Sequence, residues 1–237
     1  MTELLYLTDS YLREFMATVV DATEDGVVLD KTAFYPEGGG QPSDVGALLD
    51  EARRQYVVRK VRRVKGQVVH KIDGDLPQVG AGVRGSVDWQ LRYKLMRTHT
   101  ALHILCGVIW RDYGASVTGG NMEPLKARMD FELESMSAAF SDEVEAKINA
   151  EVTAARPVHV DILPREEAFQ IPDLIRTKIN LLPEGIQQVR VVEIEGLDLQ
   201  ADGGTHVANT KEVGRIIVTG HESKGRINKR LRIEIEG

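Results

Sequence analysis

Two histidines stand four residues apart in Arg97-Thr98-His99-Thr100-Ala101-Leu102-His103. Far along the chain, Asp202-Gly203-Gly204-Thr205-His206 sets a carboxylate and a third imidazole at the same spacing. On a helix, side chains four apart project from one face, one turn above each other. His99 and His103 can therefore meet at a single point, as a divalent metal requires. Leu95, Leu102, Ile104 and Leu105 around them predict a helix packed on one side, with the histidines on an adjacent strip. Asp-Gly-Gly suits a sharp turn, because glycine adopts positive φ at little cost. Taken alone, either pair fits an ordinary structural role. Together, His99, His103, Asp202 and His206 predict one zinc site per chain. Three imidazoles leave zinc able to hold a water and lower its pKa toward about 7, which suits attack on an ester carbonyl, or able only to anchor a substrate group; the sequence does not decide between the two. The segment Gly203-Gly204-Thr205 is then expected to act in catalysis, its backbone amides facing the oxyanion that forms.

His99-Thr100-Ala101-Leu102-His103 followed by Gly203-Gly204-Thr205-His206 resembles the metal-binding signature of the editing domains of alanyl- and threonyl-tRNA synthetases. The free-standing alanyl-tRNA editing (AlaX) proteins share it. A second stretch, Phe34-Tyr35-Pro36-Glu37-Gly38-Gly39-Gly40-Gln41-Pro42-Ser43-Asp44-Val45-Gly46, resembles the glycine-rich motif of the longer, medium-length AlaX proteins and of alanyl-tRNA synthetase. The resemblance implies a hydrolase that removes serine, with glycine as a second candidate, from mischarged tRNA(Ala). It also implies that Gly38, Gly39, Gly40 and Gln41 help bind the substrate. A site built for alanine cannot strongly reject an isostere bearing one more hydroxyl. An editing pocket instead offers that hydroxyl a partner, and Thr118 and Asn121, in the segment after the histidine helix, are the candidates. The family most often carries Cys where this chain has Asp202. A carboxylate ligates zinc at about 2.0–2.2 Å, or it can hold a ligand's tautomer from behind. Two other readings stay open, a non-catalytic tRNA-binding module of the same fold and a deacylase of another mischarged tRNA.

The elements that must position these residues follow from pattern. Thr8-Asp9-Ser10 predicts the cap of a brief helix through Phe15. Glu24-Asp25-Gly26 predicts a hairpin turn between Ala17–Ala22 and Val27–Leu29. Ala47–Val69 reads as two strands turning at Lys65-Gly66, and Val83–Val87 is expected to close a small barrel. The glycine-rich loop lacks the Gly-Lys-Ser/Thr ending of a P-loop, which excludes that mode of phosphate binding. A helix should begin at Asp88-Trp89 and run to Tyr113, where Gly114 stops it. Beyond it come a strand at Lys126–Glu134 and a helix capped by Ser141-Asp142, with a stripe of Val144, Ile148, Val152 and Ala155. A strand at Val158–Ile162, a helix at Pro164–Phe169, a strand at Val189–Ile194 and a terminal antiparallel pair follow. The expected fold class is α+β. Residues 1–88 form a β-barrel domain, which the resemblance likens to translation factors. Residues 89–237 form an editing domain with helices on one face of a mainly antiparallel sheet.

The chain has 237 residues, 42% of them hydrophobic and 28% charged, with a formal net charge of −6. No apolar run is long enough to span a bilayer, the N-terminus does not read as a signal peptide, and a cytoplasmic protein is expected. The single cysteine, Cys106, precludes an internal disulfide and reads as a small buried hydrophobe. Two basic runs stand out: Arg53, Arg54, Arg59, Lys60, Arg62, Arg63 and Lys65, and then Lys224, Arg226, Lys229, Arg230 and Arg232. They read equally as solvated strand faces or as patches that follow an RNA backbone. Lys94 and Arg97 are weaker candidates for the 3′ terminus. His70, His159 and His221 have no partner cluster in the sequence and receive no role. Oligomeric state is not legible.

Overall fold

The structure, a computed structural model, describes residues 2–177 and 185–237. The chain divides into two compact units, Met1–Lys94 and Leu95–Gly237, within a mixed α+β architecture.

The first unit contains β1 (Glu3–Leu4), β2 (Glu14–Thr23), β3 (Gly26–Leu29), β4 (Lys31–Thr32), β5 (Gly46–Asp50), β6 (Gln55–Val64), β7 (Gln67–Ile72) and β8 (Gly82–Val87). Six of these close an antiparallel barrel in the order β2-β3-β7-β6-β5-β8. Alternation drives it: Phe15, Ala17 and Val19 of β2 point into a core shared with Leu29, Phe34, Leu48, Val58, Val61 and Val83. In β6 the register shifts between Val58 and Lys60. That bulge resets the period of two, so that Val58 and Val61, three apart, are both buried. The expected helix ending at Phe15 is absent. A single 3-10 turn occupies Leu5–Leu7, the Asp9 carboxylate caps only the Tyr11 amide at 2.8 Å, and β2 starts at Glu14. Burying Phe15 in the barrel outweighs the local capping signal. The predicted pair of strands at 47–69 is three, β5, β6 and the start of β7, because Arg53 adopts φ 62 and turns the chain between Asp50 and Gln55.

A buried ion pair holds the loop that follows β4. Arg92 donates through Nε and Nη2 to Asp44, and through its remaining hydrogens to the Ser10 and Ala33 carbonyls; Arg92 and Asp44 are both fully buried. The same carboxylate accepts the Tyr35 amide at 2.6 Å, so it ties the two ends of the glycine-rich segment together.

Helix α1 (Trp89–Tyr113) leads into the second unit, which adds β9 (Val117–Glu123), β10 (Lys126–Phe131), α2 (Ala138–Thr153), β11 (Val158–Pro164), α3 (Arg165–Ala168), β12 (Gln188–Ile194), β13 (Asp198–Ala201), β14 (Ile216–Gly225) and β15 (Asn228–Ile235). In place of the single expected sheet there are two, both antiparallel: β14-β15-β10-β9 and β11-β12-β13. Helix α2 starts a turn earlier than its sequence suggested, because Ser137 is the cap and accepts the Phe140 amide at 3.1 Å. Val144, Ile148 and Val152 of its stripe are buried as expected, whereas Ala155 lies past the helix end, where the chain turns away with φ 51, and is half-buried. The helix is fastened to the start of β14: Asn149 exchanges two hydrogen bonds with the Ile216 backbone, and Glu145 accepts the Val218 amide. No helix among the described residues is long and apolar enough to cross a membrane.

Candidate metal centre

Helix α1 carries the first two candidate ligands, and it is not the one-sided helix its sequence suggested. From Leu95 to Ile109 every residue but Arg97 is buried, the pattern of a helix packed all round. His99 and His103 therefore stand in the interior, 7% and 6% exposed. His206 and Asp202 come from the loop after β13. Thr100, next to His99, joins the two segments: its hydroxyl meets His206 Nδ1 and accepts the Val207 amide, both at 3.2 Å. Asp202 is fixed to β12 by its backbone. Its amide donates to the Arg190 carbonyl at 3.1 Å, and Arg190 Nη1 donates to the Asp202 carbonyl at 2.9 Å.

The three rings close on the carboxylate. His206 Nε2 lies 3.0 Å from Asp202 Oδ1, while His99 Nε2 and His103 Nε2 lie 3.5 and 3.9 Å from Oδ2. Ring centroids are 4.3 to 5.2 Å apart. One ligand atom from each of the four residues lies within 4.8 Å of every other, so the group could hold a metal ion. Tetrahedral ligands at the distances zinc prefers stand about 3.3 Å from each other, so the residues fit such an ion with small adjustments. The donors are imidazole and carboxylate, a harder set than one containing thiolate and less selective among divalent metals.

Electrostatics leave two of the three imidazoles neutral and the carboxylate ionised, while His103 holds a proton that an ion must displace. Burial pushes His99 down to about 4 against the pull of Asp202. Burial and the neighbouring His99 hold His206 well below the ordinary range. Burial also works against protonated His103, but its hydrogen bonds to Asp198 and Asp202 prevail and raise it to about 9. Burial would raise Asp202, yet the three histidines around it keep its carboxyl well below the usual range. Metal binding to such a set displaces protons.

The remaining predicted residues fall as follows. Gly203 and Gly204 do not use left-handed backbone, so the expected sharp turn is an open bend. The Gly204 amide, expected to face an oxyanion, instead donates to Asp202 Oδ1 at 2.6 Å. Thr205 is fully buried. Thr118 and Asn121 are exposed on β9, and Thr118 Oγ1 donates to Asn228 on β15. In the first unit, Gly38 and Gln41 exchange backbone hydrogen bonds at 3.1 and 2.9 Å. Between them Gly39 and Gly40 take φ 56 and 85, the left-handed pair of a two-residue reverse turn. Gln41 is buried, whereas the three glycines are exposed. Arg97 is used within its own unit, donating to the Val213 and Glu236 carbonyls. Cys106 is buried beside Gln200, and burial pushes its thiol up, which keeps it protonated.

Sequence reasoning missed Thr100, Arg190 and Asp198. Alternation in β13 was the available signal for the last: Asp198 and Gln200 share a face, and two polar residues on one face of a strand flanked by leucines need buried partners.

Residues 4–91 match the family described as tRNA synthetases class II (A), and residues 189–232 match the threonyl and alanyl tRNA synthetase second additional domain. The alanyl-tRNA editing protein AlaX-M of Saccharolobus solfataricus is 43% identical over 98% of both chains, and that of Methanosarcina acetivorans 41% identical over 98% of both. The alanine–tRNA ligase of Ignicoccus hospitalis is 38% identical over 91% of this chain and 24% of its own length. Glycine-rich loop, double-histidine helix and Asp-Gly-Gly-Thr-His segment all lie within these full-length matches, and the chain belongs to the AlaX-M family of alanyl-tRNA editing proteins.

Proposed function

We propose that this chain is a metal-dependent aminoacyl-tRNA deacylase that removes serine, with glycine as a second substrate, from mischarged tRNA(Ala). The observation that carries the reading is the convergence of His99, His103, Asp202 and His206 into one buried ligand set on a chain of this family. Those four residues would hold the ion, for which we assign zinc, one per chain. Bound there, it supplies Lewis acidity toward an ester carbonyl or a water.

The chain's own residues do the positioning. His99 and His103 are fixed relative to each other by helix geometry, while Thr100 supports the His206 ring and Asp198 the His103 ring from behind. Little reorganisation is then left for the reaction itself. Asp202 brings a negative charge that offsets part of the cation's, and its engagement of the Gly204 amide leaves Gly203 as our assigned oxyanion donor, with Thr205 anchoring the segment. For selectivity, a serine hydroxyl needs a partner that alanine's methyl would leave unpaired. Thr118 and Asn121 are assigned that task, and Gly38, Gly39, Gly40 and Gln41 are assigned to substrate binding.

The test is deacylation by purified protein. Ser-tRNA(Ala) should be hydrolysed and Ala-tRNA(Ala) spared, with activity abolished by chelation and restored by zinc. Full activity in His103→Ala would refute the metal-dependent mechanism. Tight tRNA binding with no hydrolysis of any mischarged species would leave a binding module in its place.

A further inference from the structure

Behind the ligand cluster, at the start of β13, sits a carboxylate that is not one of the four ligands. Asp198 is 2% exposed, and an ion at such depth costs several kcal/mol unless it is paired and hydrogen-bonded. Among the described residues it has three side-chain partners. Arg176 Nη1 donates to Oδ1 at 2.7 Å, while Gln200 Nε2 and His103 Nδ1 both meet Oδ2 at 2.8 Å. The strand can come this near the helix because residue 107, one turn past His103, is glycine. A Cβ there would stand 2.9 Å from Leu197 Cγ and 3.1 Å from Asp198 Cβ.

A carboxylate held by a guanidinium only accepts hydrogen bonds, so the His103 nitrogen against it must carry a proton. A neutral imidazole has one N–H, and the other nitrogen then offers a lone pair. For His103 that other nitrogen is Nε2, the one facing Asp202. We infer that Asp198 is a positioning residue for the metal centre, fixing the proton of His103 on Nδ1 and the ring's orientation so that Nε2 presents its lone pair to the cluster. The inference rests on the metal-centre reading above. It also makes an isosteric change informative. Asparagine offers one oxygen where aspartate offers two, and the Arg176 cation is the stronger claimant to it. The amide NH2 is then turned toward His103 Nδ1, which has to accept, and the ring's proton moves to Nε2, where it blocks coordination.

The experiment measures zinc affinity of the full-length protein by competition with a chromophoric chelator, using zinc alone as the probe. Asp198→Asn and Asp198→Ala should each bind roughly 10–100-fold more weakly than wild type, the usual effect of losing such a support. In a His103→Ala background, Asp198→Asn should cost nothing further, because its route to the metal runs through that ring; a general structural role would cost the same in both backgrounds. Wild-type affinity in Asp198→Asn, or equal losses in the two backgrounds, overturns the role of Asp198 and leaves the metal centre standing. Failure of wild type to bind zinc overturns the metal centre itself. Should the Asp198 variants not fold, heteronuclear NMR of isotopically labelled, cadmium-loaded wild type decides the matter. Metal coupling to His103 Nε2 supports the assignment, and coupling to Nδ1 overturns it.

Discussion

Lowering the pH from about 7 to about 5 is the perturbation that His70 should convert into lost stability. The ring is fully buried on β7. Its Nδ1 donates to the Val27 carbonyl at 3.2 Å, and its Nε2 accepts from the Thr32 hydroxyl at 2.9 Å. The Thr32 oxygen in turn accepts the Phe34 amide at 3.1 Å. This arrangement suits a neutral ring, and burial pushes its pKa from the ordinary 6.5 to about 4. A histidine depressed in the folded state binds fewer protons there than in the unfolded chain, so stability rises with pH between the two values and falls on acidification. Above the unfolded value both states are neutral and the contribution is nil. The full gap corresponds to about 3 kcal/mol, reached below pH about 4, and about 2 kcal/mol of it should be lost between pH about 7 and about 5. The assay is urea denaturation across that range for wild type and His70→Gln. The variant forfeits one of the ring's hydrogen bonds, so its absolute stability should fall at every pH. What matters is the difference between the two profiles, which should narrow by about 2 kcal/mol as the solution is acidified. Parallel profiles would refute the reasoning, for they would mean that His70 takes up its proton equally well folded and unfolded.

Other expectations follow from individual contacts. Arg92→Met strands the fully buried Asp44 carboxylate and should cost about 3–5 kcal/mol; a loss below about 1 kcal/mol in the denaturant midpoint would contradict it. Gly107→Ala gains about 1 kcal/mol of helix propensity but forces a methyl to within 2.9 Å of Leu197. Overpacking of about 1–3 kcal/mol should prevail, lowering the melting temperature and weakening zinc affinity together; a raised melting temperature with unchanged affinity speaks against that packing argument. Metal analysis of Asp202→Ala beside Asp202→Cys separates coordination from support: alanine should lose most of the metal and cysteine retain it, while full occupancy in alanine would remove Asp202 from the ligand set.

Legibility tracked whether the determinant was local. The barrel strands, the long helix and the stripe of Val144, Ile148 and Val152 are local periodicities, and they appear where the pattern put them, to within a few residues. Phe15 shows the limit: capping residues before it promised a helix, but a side chain destined for the barrel core takes the strand conformation that reaches it. The group of His99, His103, Asp202 and His206, which could hold a metal ion, was legible because two pairs at a spacing of four stand out along the chain itself. Its supports were not. Thr100 reaches His206 across 106 positions and Asp198 reaches His103 across 95; nothing local marks Thr100, and alternation in β13 marks Asp198 as needing a buried partner without naming it. His70, to which the sequence assigned no role, is of the same kind, since its partners Thr32 and Val27 lie on other strands.

The basic runs show most plainly what counting along a sequence cannot see. Arg59 pairs with Asp73, Lys60 with Glu37 and Arg62 with Asp25, at 2.6 to 2.8 Å. In the second run Arg230 pairs with Asp130, Lys224 and Arg232 share Glu222, and the Lys229 ammonium is buried against the Gly225 and Arg226 carbonyls. Exposed pairs of this sort contribute only about 0–1 kcal/mol each, so a phosphate can displace a carboxylate at small cost. What the pairing weakens is the long-range positive field, since Arg59, Lys60, Arg62 and Arg230 each lie against a carboxylate and the chain as a whole stands at −6. A protein that gripped RNA through its backbone would gain most of its affinity from that field and lose it steeply with salt. The charge arrangement here fits the opposite strategy. For the proposed deacylase, the phosphates then add modest, exchangeable contacts beside those to the acyl end of the tRNA.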